Sequence, residues 1–98
     1  MNIIVCGAGR VGFSIAKQLS AQSHSITMID QSSEDIQKIN ESLDVKAIVG
    51  KATYPSILER ANASDADMII AVTKNAHIVN GILHRLIPFV RRFNTVVI

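Results

Sequence analysis

Residues 1–19, MNIIVCGAGRVGFSIAKQL, set three glycines, Gly7, Gly9 and Gly12, between an apolar run and a stretch with helical spacing. Glycines in such a place make either an ordinary tight turn or a turn that cradles phosphate, and the flanking segments decide between the two. Asn2 to Cys6 (NIIVC) reads as a buried strand, while Val11, Ile15, Ala16 and Leu19 fall on one face of a helix running from Val11 to Ala21. GAGRVG therefore stands at a strand-to-helix junction, the context in which G-x-G-x-x-G carries meaning. There Gly7 permits the tight turn, Gly9 lets the backbone approach a pyrophosphate, and Gly12 allows close packing of helix on strand.

Working outward, the chain keeps alternating. Ser25 to Asp30 (SITMID) is a second strand, and Ser32 is an N-cap, with Asp35 three residues on, for a helix that turns Ile36, Ile39 and Leu43 inward. Lys46 to Val49 (KAIV) is a short third strand. Pro55 suits the first turn of a helix running toward Asn62, and Asp67 to Thr73 (DMIIAVT) is a fourth strand. A fourth helix is expected from about Asn75 to Ile87, stopped by Pro88, and Asn94 to Ile98 reads as a fifth strand. Strict β-α-β alternation predicts an α/β, Rossmann-like parallel sheet of about five strands with helices on both faces. Ligands of such sheets bind at the carboxyl ends of the strands, where the strand order reverses. Asp30 ends the second strand 18 residues beyond Gly12, where an acid accepts hydrogen bonds from ribose hydroxyls and repels a 2′-phosphate. Glycine turn and acid together favour nucleotide binding over a purely structural turn, with the helix N-terminus supplying amides for the phosphates.

Composition narrows the class. Ninety-eight residues, 48% hydrophobic and 18% charged, suit one packed domain over residues 1–98. No apolar run approaches the roughly 18 residues of a membrane span, and the N-terminus lacks the pattern of a signal peptide, so a cytoplasmic protein is expected. The single cysteine, Cys6, is read as a small buried hydrophobe rather than a nucleophile. Net charge is +2, with no acid after Asp67 and four basic residues there, Lys74, Arg85, Arg91 and Arg92. A solvated positive face explains that segment more simply than attraction to phosphates, anionic lipid or an acidic partner. Pro88 divides GILHRLIPFVRRF into a packed helix and a connection rather than a membrane-surface helix. His77 and His84, seven apart, would stand about 10.5 Å apart along one helix, too far to share a metal. No metal site and no nucleic-acid-binding element are indicated.

GAGRVG, Asp30, the stretch GKATYPSILERANASDADMIIAVT at positions 50 to 73, and Asn80 together resemble the regulatory domains of bacterial Trk and Ktr potassium-uptake systems, called TrkA-N, RCK or KTN domains. The middle stretch is the more specific part, since the family commonly writes it as G-D-A-T, a helix, D-A-D and a strand ending in A-V-T. The resemblance implies a dinucleotide-binding regulatory domain that binds NAD or NADH, or alternatively ATP or ADP. It implies a cytoplasmic place on the inner face of the membrane, through a potassium transporter as partner. By likeness Gly7, Ala8, Gly9, Arg10 and Val11 hold the pyrophosphate, followed by Gly12. Asp30, with Gln31 beside it, holds the ribose; Lys51 and Ala52 border the site; Thr73 and Lys74 take the far side of the nucleotide. Arg10 has a solvent-facing role as its alternative.

Two positions depart from the family pattern. Lys51 stands where aspartate is common, and Lys74 to His77 (KNAH) replaces a segment usually rich in Asp and Glu. A positive rim favours a more anionic ligand such as ATP, ADP or NADH; a solvated Lys51 is the alternative. The expected function is a non-catalytic nucleotide sensor, with the cofactor domain of an NAD-dependent oxidoreductase as the other class. Family members continue past this point, so the chain is expected to be a piece of a longer subunit. Its apolar last strand and the positions Ile78, Val79, Ile82, Leu83, Leu86 and Ile87 suggest a homo-oligomer, a dimer or larger.

Overall fold

The computed structural model describes residues 1–72 and 94–97. Its elements run β1 (Asn2–Cys6), α1 (Arg10–Ala21), β2 (Ser25–Asp30), α2 (Ser33–Ser42), β3 (Lys46–Val49), α3 (Pro55–Arg60), a 3-10 turn (Ala63–Asp65), β4 (Met68–Ala71) and β5 (Asn94–Val97). All strands pair in parallel, in the order β3-β2-β1-β4-β5. The chain thus steps outward from β1 through β2 to β3 and returns to the other side of β1. The reversal of order lies between β1 and β4, and the glycine turn leaves β1 at that point.

Burial on both faces of the central strand explains its continuous apolar run. Ile3 and Val5 pack with Ala16 of α1 and Ile36 and Ile39 of α2, whereas Ile4 and Cys6 pack with Ile57 and Leu58 of α3. Helices therefore cover both faces, as the alternation predicts. Ser32 caps α2 as expected, its Oγ accepting the Asp35 N–H at 3.2 Å. Pro55 occupies the first turn of α3, where its missing N–H costs nothing.

Two expectations are corrected. Val11 does not join the core face of α1; it is 51% exposed, while Gly12 and Ala16 are buried and Ile15 and Leu19 half-buried. Val11 lies about 140° around the helix from Ala16, so it falls beside the sheet-facing stripe rather than on it. β4 is also shorter than DMIIAVT suggests, since Asp67 and Val72 both stay outside the strand and Thr73 lies outside the described residues. The Asp67 carboxylate accepts the Asn2 N–H at 2.8 Å and its own N–H donates to the Asn2 carbonyl at 2.8 Å, which fixes the register of β4 on β1. Asp65 meanwhile accepts from Asn62 Nδ2 at 3.0 Å, beside the left-handed backbone of Asn62. Both acids of the D-A-D motif thus serve the strand-entry edge, opposite the glycine turn. The helix expected from Asn75 to Ile87, with the apolar positions proposed for assembly, lies outside the described residues. Among the described residues no helix is long and apolar enough to cross a membrane.

Candidate functional site

The three glycines of the opening turn do three different things. Gly7 has φ of 121°, a backbone that side chains rarely adopt, and a Cβ there would come within 2.6 Å of the Val72 carbonyl oxygen. Gly12 is buried in the first turn of α1, where a Cβ would overlap the carbonyl oxygen of Gly7. The helix consequently rests directly on the turn. Gly9 is the N-cap, extended at φ −72° and ψ −163°, and a Cβ at this position would have nothing within 4 Å. Only Gly9 owes nothing to packing against the protein itself.

Hydrogen bonds pin this turn to both neighbouring strands. The Gly7 N–H donates to the Ile29 carbonyl at 2.8 Å, and the Val72 N–H donates to the Cys6 carbonyl at 2.8 Å. The first main-chain bond of α1 runs from the Phe13 N–H to the Gly9 carbonyl at 2.8 Å, so the amides of Arg10, Val11 and Gly12 precede the ladder. No side chain caps them, and they have no acceptor among the described residues. The positive end of the helix dipole is therefore left bare at the sheet's switch point. Arg10 and Val11 are both exposed there.

Asp30 reaches across the same edge. Its Oδ2 accepts the Ala8 N–H at 2.7 Å, its Oδ1 accepts the Ser32 N–H at 2.8 Å, and its carbonyl accepts the Gly50 N–H at 2.9 Å. Spacing put an acid at this position, but its bond to Ala8 could be seen only once the pairing of β1 with β2 was known. Gln31 is exposed beside it. Beyond β3, Lys51 is exposed and its Nζ sits 5.6 Å from the centre of the Tyr54 ring, within the range of a cation–π contact. Tyr54 is itself 52% exposed and had not been singled out, since an isolated tyrosine carries no spacing pattern. Ala52 is half-buried against the cluster that holds Ile57, so its side chain belongs to the core. Turn, Asp30, Gln31 and Lys51 thus share one edge of the sheet, and Thr73, Lys74, His77 and His84 lie outside the described residues.

A cleft of about 430 Å³ opens against the first turn of α1, lined by Ala8, Gly9, Arg10 and Phe13 and, from α2, by Asp35 and Lys38. A larger basin of about 760 Å³, with Lys17, His24 and Lys46, lies at the opposite edge, where the strands begin. The smaller cleft is the candidate, because the bare amides and open Gly9 border it and Asp30 holds Ala8 of its wall, whereas the basin has none of them. Burial pushes the Cys6 thiol up to about 12, which keeps it neutral and unreactive at the end of β1.

The family model for the TrkA-N domain matches residues 3–87. Among curated relatives, the Trk system potassium uptake protein TrkA of Azorhizobium caulinodans is 42% identical over 73 residues, covering 74% of this chain and 16% of that protein. The protein of the same name from Haemophilus influenzae is 37% identical over 78 residues, 80% of this chain and 17% of the relative. The chain thus spans about a sixth of the length of these relatives. Among solved structures, the TrkA-N domain of inner membrane protein ybaL from Escherichia coli superposes with a TM-score of 0.90 at 21% identity, over 98% of this chain and 70% of that one. The Shewanella denitrificans Kef C-terminal domain in its AMP-bound form gives 0.82 at 24% identity, over 99% and 57%. The GsuK channel bound to NAD gives 0.84 at 15%, over 98% and 18%. At these identities the structural likenesses establish the fold, a Rossmann-like sheet.

Proposed function

The chain belongs to the TrkA-N domain family, and from that premise we propose that residues 1–98 form a regulatory domain that binds NAD(H) or an adenine nucleotide without consuming it. The observation that carries the proposal is the uncapped N-terminus of α1 beside Gly9, open at the switch point of the sheet. Anionic phosphates suit unpaired amides at a helix start, and the bare Gly9 leaves room for their close approach. Each oxygen of Asp30 accepts one backbone N–H and retains acceptor capacity for a ribose hydroxyl. Thr73 and Lys74 complete the proposed contacts on the far side of the nucleotide. Lys51, held near Tyr54, adds positive charge at the rim and favours the more anionic members of the class.

Regulation requires that the ligand bind two assembled states with different affinity. The names of the potassium uptake relatives and the NAD-bound GsuK channel support a cytoplasmic domain that passes ligand occupancy to a membrane potassium transporter or channel. Assembly into a homo-oligomer belongs to the same proposal. An oxidoreductase role would need an acid or base held beside the reacting ring; both carboxylate oxygens of Asp30 at this edge already accept backbone amides, and the names of the curated relatives are those of potassium uptake proteins.

Calorimetric titration with NAD, NADH, NADP, AMP, ADP and ATP tests the reading. Saturable binding is expected for at least one ligand without a 2′-phosphate, with NADP at least tenfold weaker than NAD, or about 1.4 kcal/mol. NADH absorbance should stay flat in the protein's presence. Failure of every ligand to bind, or NADP binding as tightly as NAD, would remove the assignment.

A further inference from the structure

We propose that Asp30 is a positioning residue that holds the glycine turn in its ligand-receiving shape before any ligand arrives; this deepens the nucleotide-binding reading and rests on it. Two successive amides of the turn point back to the end of β2. The Gly7 N–H reaches the Ile29 carbonyl at 2.8 Å and the Ala8 N–H reaches Asp30 Oδ2 at 2.7 Å. Ala8 is 5% exposed, so water cannot readily replace the carboxylate as acceptor. With the Ala8 amide drawn inward, the chain continues through extended Gly9 and the next amides fall to the open side of the helix start. The second oxygen of Asp30 holds the Ser32 N–H at 2.8 Å, and its carbonyl holds the Gly50 N–H at 2.9 Å. One residue therefore ties together the loops that follow β1, β2 and β3.

The arrangement needs two acceptor oxygens, which distinguishes it from a contact made only to ribose. Asparagine offers one carbonyl oxygen and one amide group, and the latter is a donor that meets another donor at either Ala8 or Ser32. As a ribose partner, by contrast, asparagine can still accept a hydroxyl. Asp30→Asn separates the two roles.

The experiment measures amide hydrogen exchange of the ligand-free protein and NADH affinity, both in wild type and in Asp30→Asn. The proposal expects the Ala8 or Ser32 amide to exchange at least tenfold faster in the variant, with the Val5 amide of β1 unchanged, and NADH to bind at least tenfold more weakly. Unchanged exchange at both amides would overturn the positioning role whatever the affinity does, and so would NADH affinity unchanged in a variant whose amides exchange faster. Acceleration that extends equally to Val5 would also overturn it, since Asp30 would then support the fold as a whole. Should wild type bind neither NADH nor any of the other nucleotides, the nucleotide reading falls, and the exchange rates still decide whether Asp30 holds the turn.

Discussion

Alanine at position 12 is expected to destabilise the domain by about 3 kcal/mol, the upper part of the range for overpacking a close contact. Two effects of opposite sign compete at Gly12→Ala. Alanine is the better helix former by up to about 1 kcal/mol. Its Cβ, however, would overlap the Gly7 carbonyl oxygen and lie 2.9 Å from the carbonyl carbon. The obstacle is backbone, and it cannot swing aside, because Gly7 is tied to Ile29 and faces Val72. Steric cost should therefore exceed propensity. For a domain of this size the loss corresponds to a fall in Tm on the order of 12–24 °C, readily seen by circular dichroism. A rise in Tm would mean that helix and turn are not in the contact described.

Gly9→Val should do the reverse, leaving the fold intact and removing the ligand. The backbone here is extended, which any residue adopts, and a Cβ would have nothing within 4 Å. The cost to stability is then limited to cap preference, a few tenths of a kcal/mol to about 1. A branched side chain on this spot would stand where phosphate must approach the helix start, and NADH affinity should fall at least a hundredfold, or about 2.7 kcal/mol. Parallel melting curves and titrations check both halves. Binding that survives Gly9→Val in a normally folded protein would place the ligand elsewhere.

The contrast between these glycines also marks what could be read from the sequence. The tight turn at Gly7 and the close packing at Gly12 were legible in the spacing, because each follows from its place in a strand-turn-helix junction. The bounds of β1, β2 and β3 coincide with expectation. Each carries β-branched residues and stops at a glycine or polar residue, Gly7, Gln31 or Gly50, and such ends are set locally. Ser32 and Pro55 were likewise legible as local helix starts. What escaped depends on pairing between distant segments. The contact of Gly7 with Val72 requires β4 beside β1, and Asp67 leaves the expected strand in order to bond Asn2, 65 residues away. Val11 was misplaced because helical periodicity gives the apolar side of a helix without showing how far the sheet extends beneath its first turn. Lys51 stands out in the sequence as a departure from a pattern, while its neighbour Tyr54 joins it only through the turn that brings them together, with the Tyr54 N–H donating to the Lys51 carbonyl at 3.0 Å.

The central claim is that a nucleotide binds at the glycine-turn edge of the sheet, and amide-resolved NMR titration with NADH and with AMP tests it most directly. Saturable shifts are predicted at Gly7 to Gly12, at Asp30 to Ser32 and at Gly50 to Ala52, with little change at Lys17, His24 and Lys46 on the opposite edge. Saturable shifts centred on Lys17, His24 and Lys46, or none with either ligand, would contradict it.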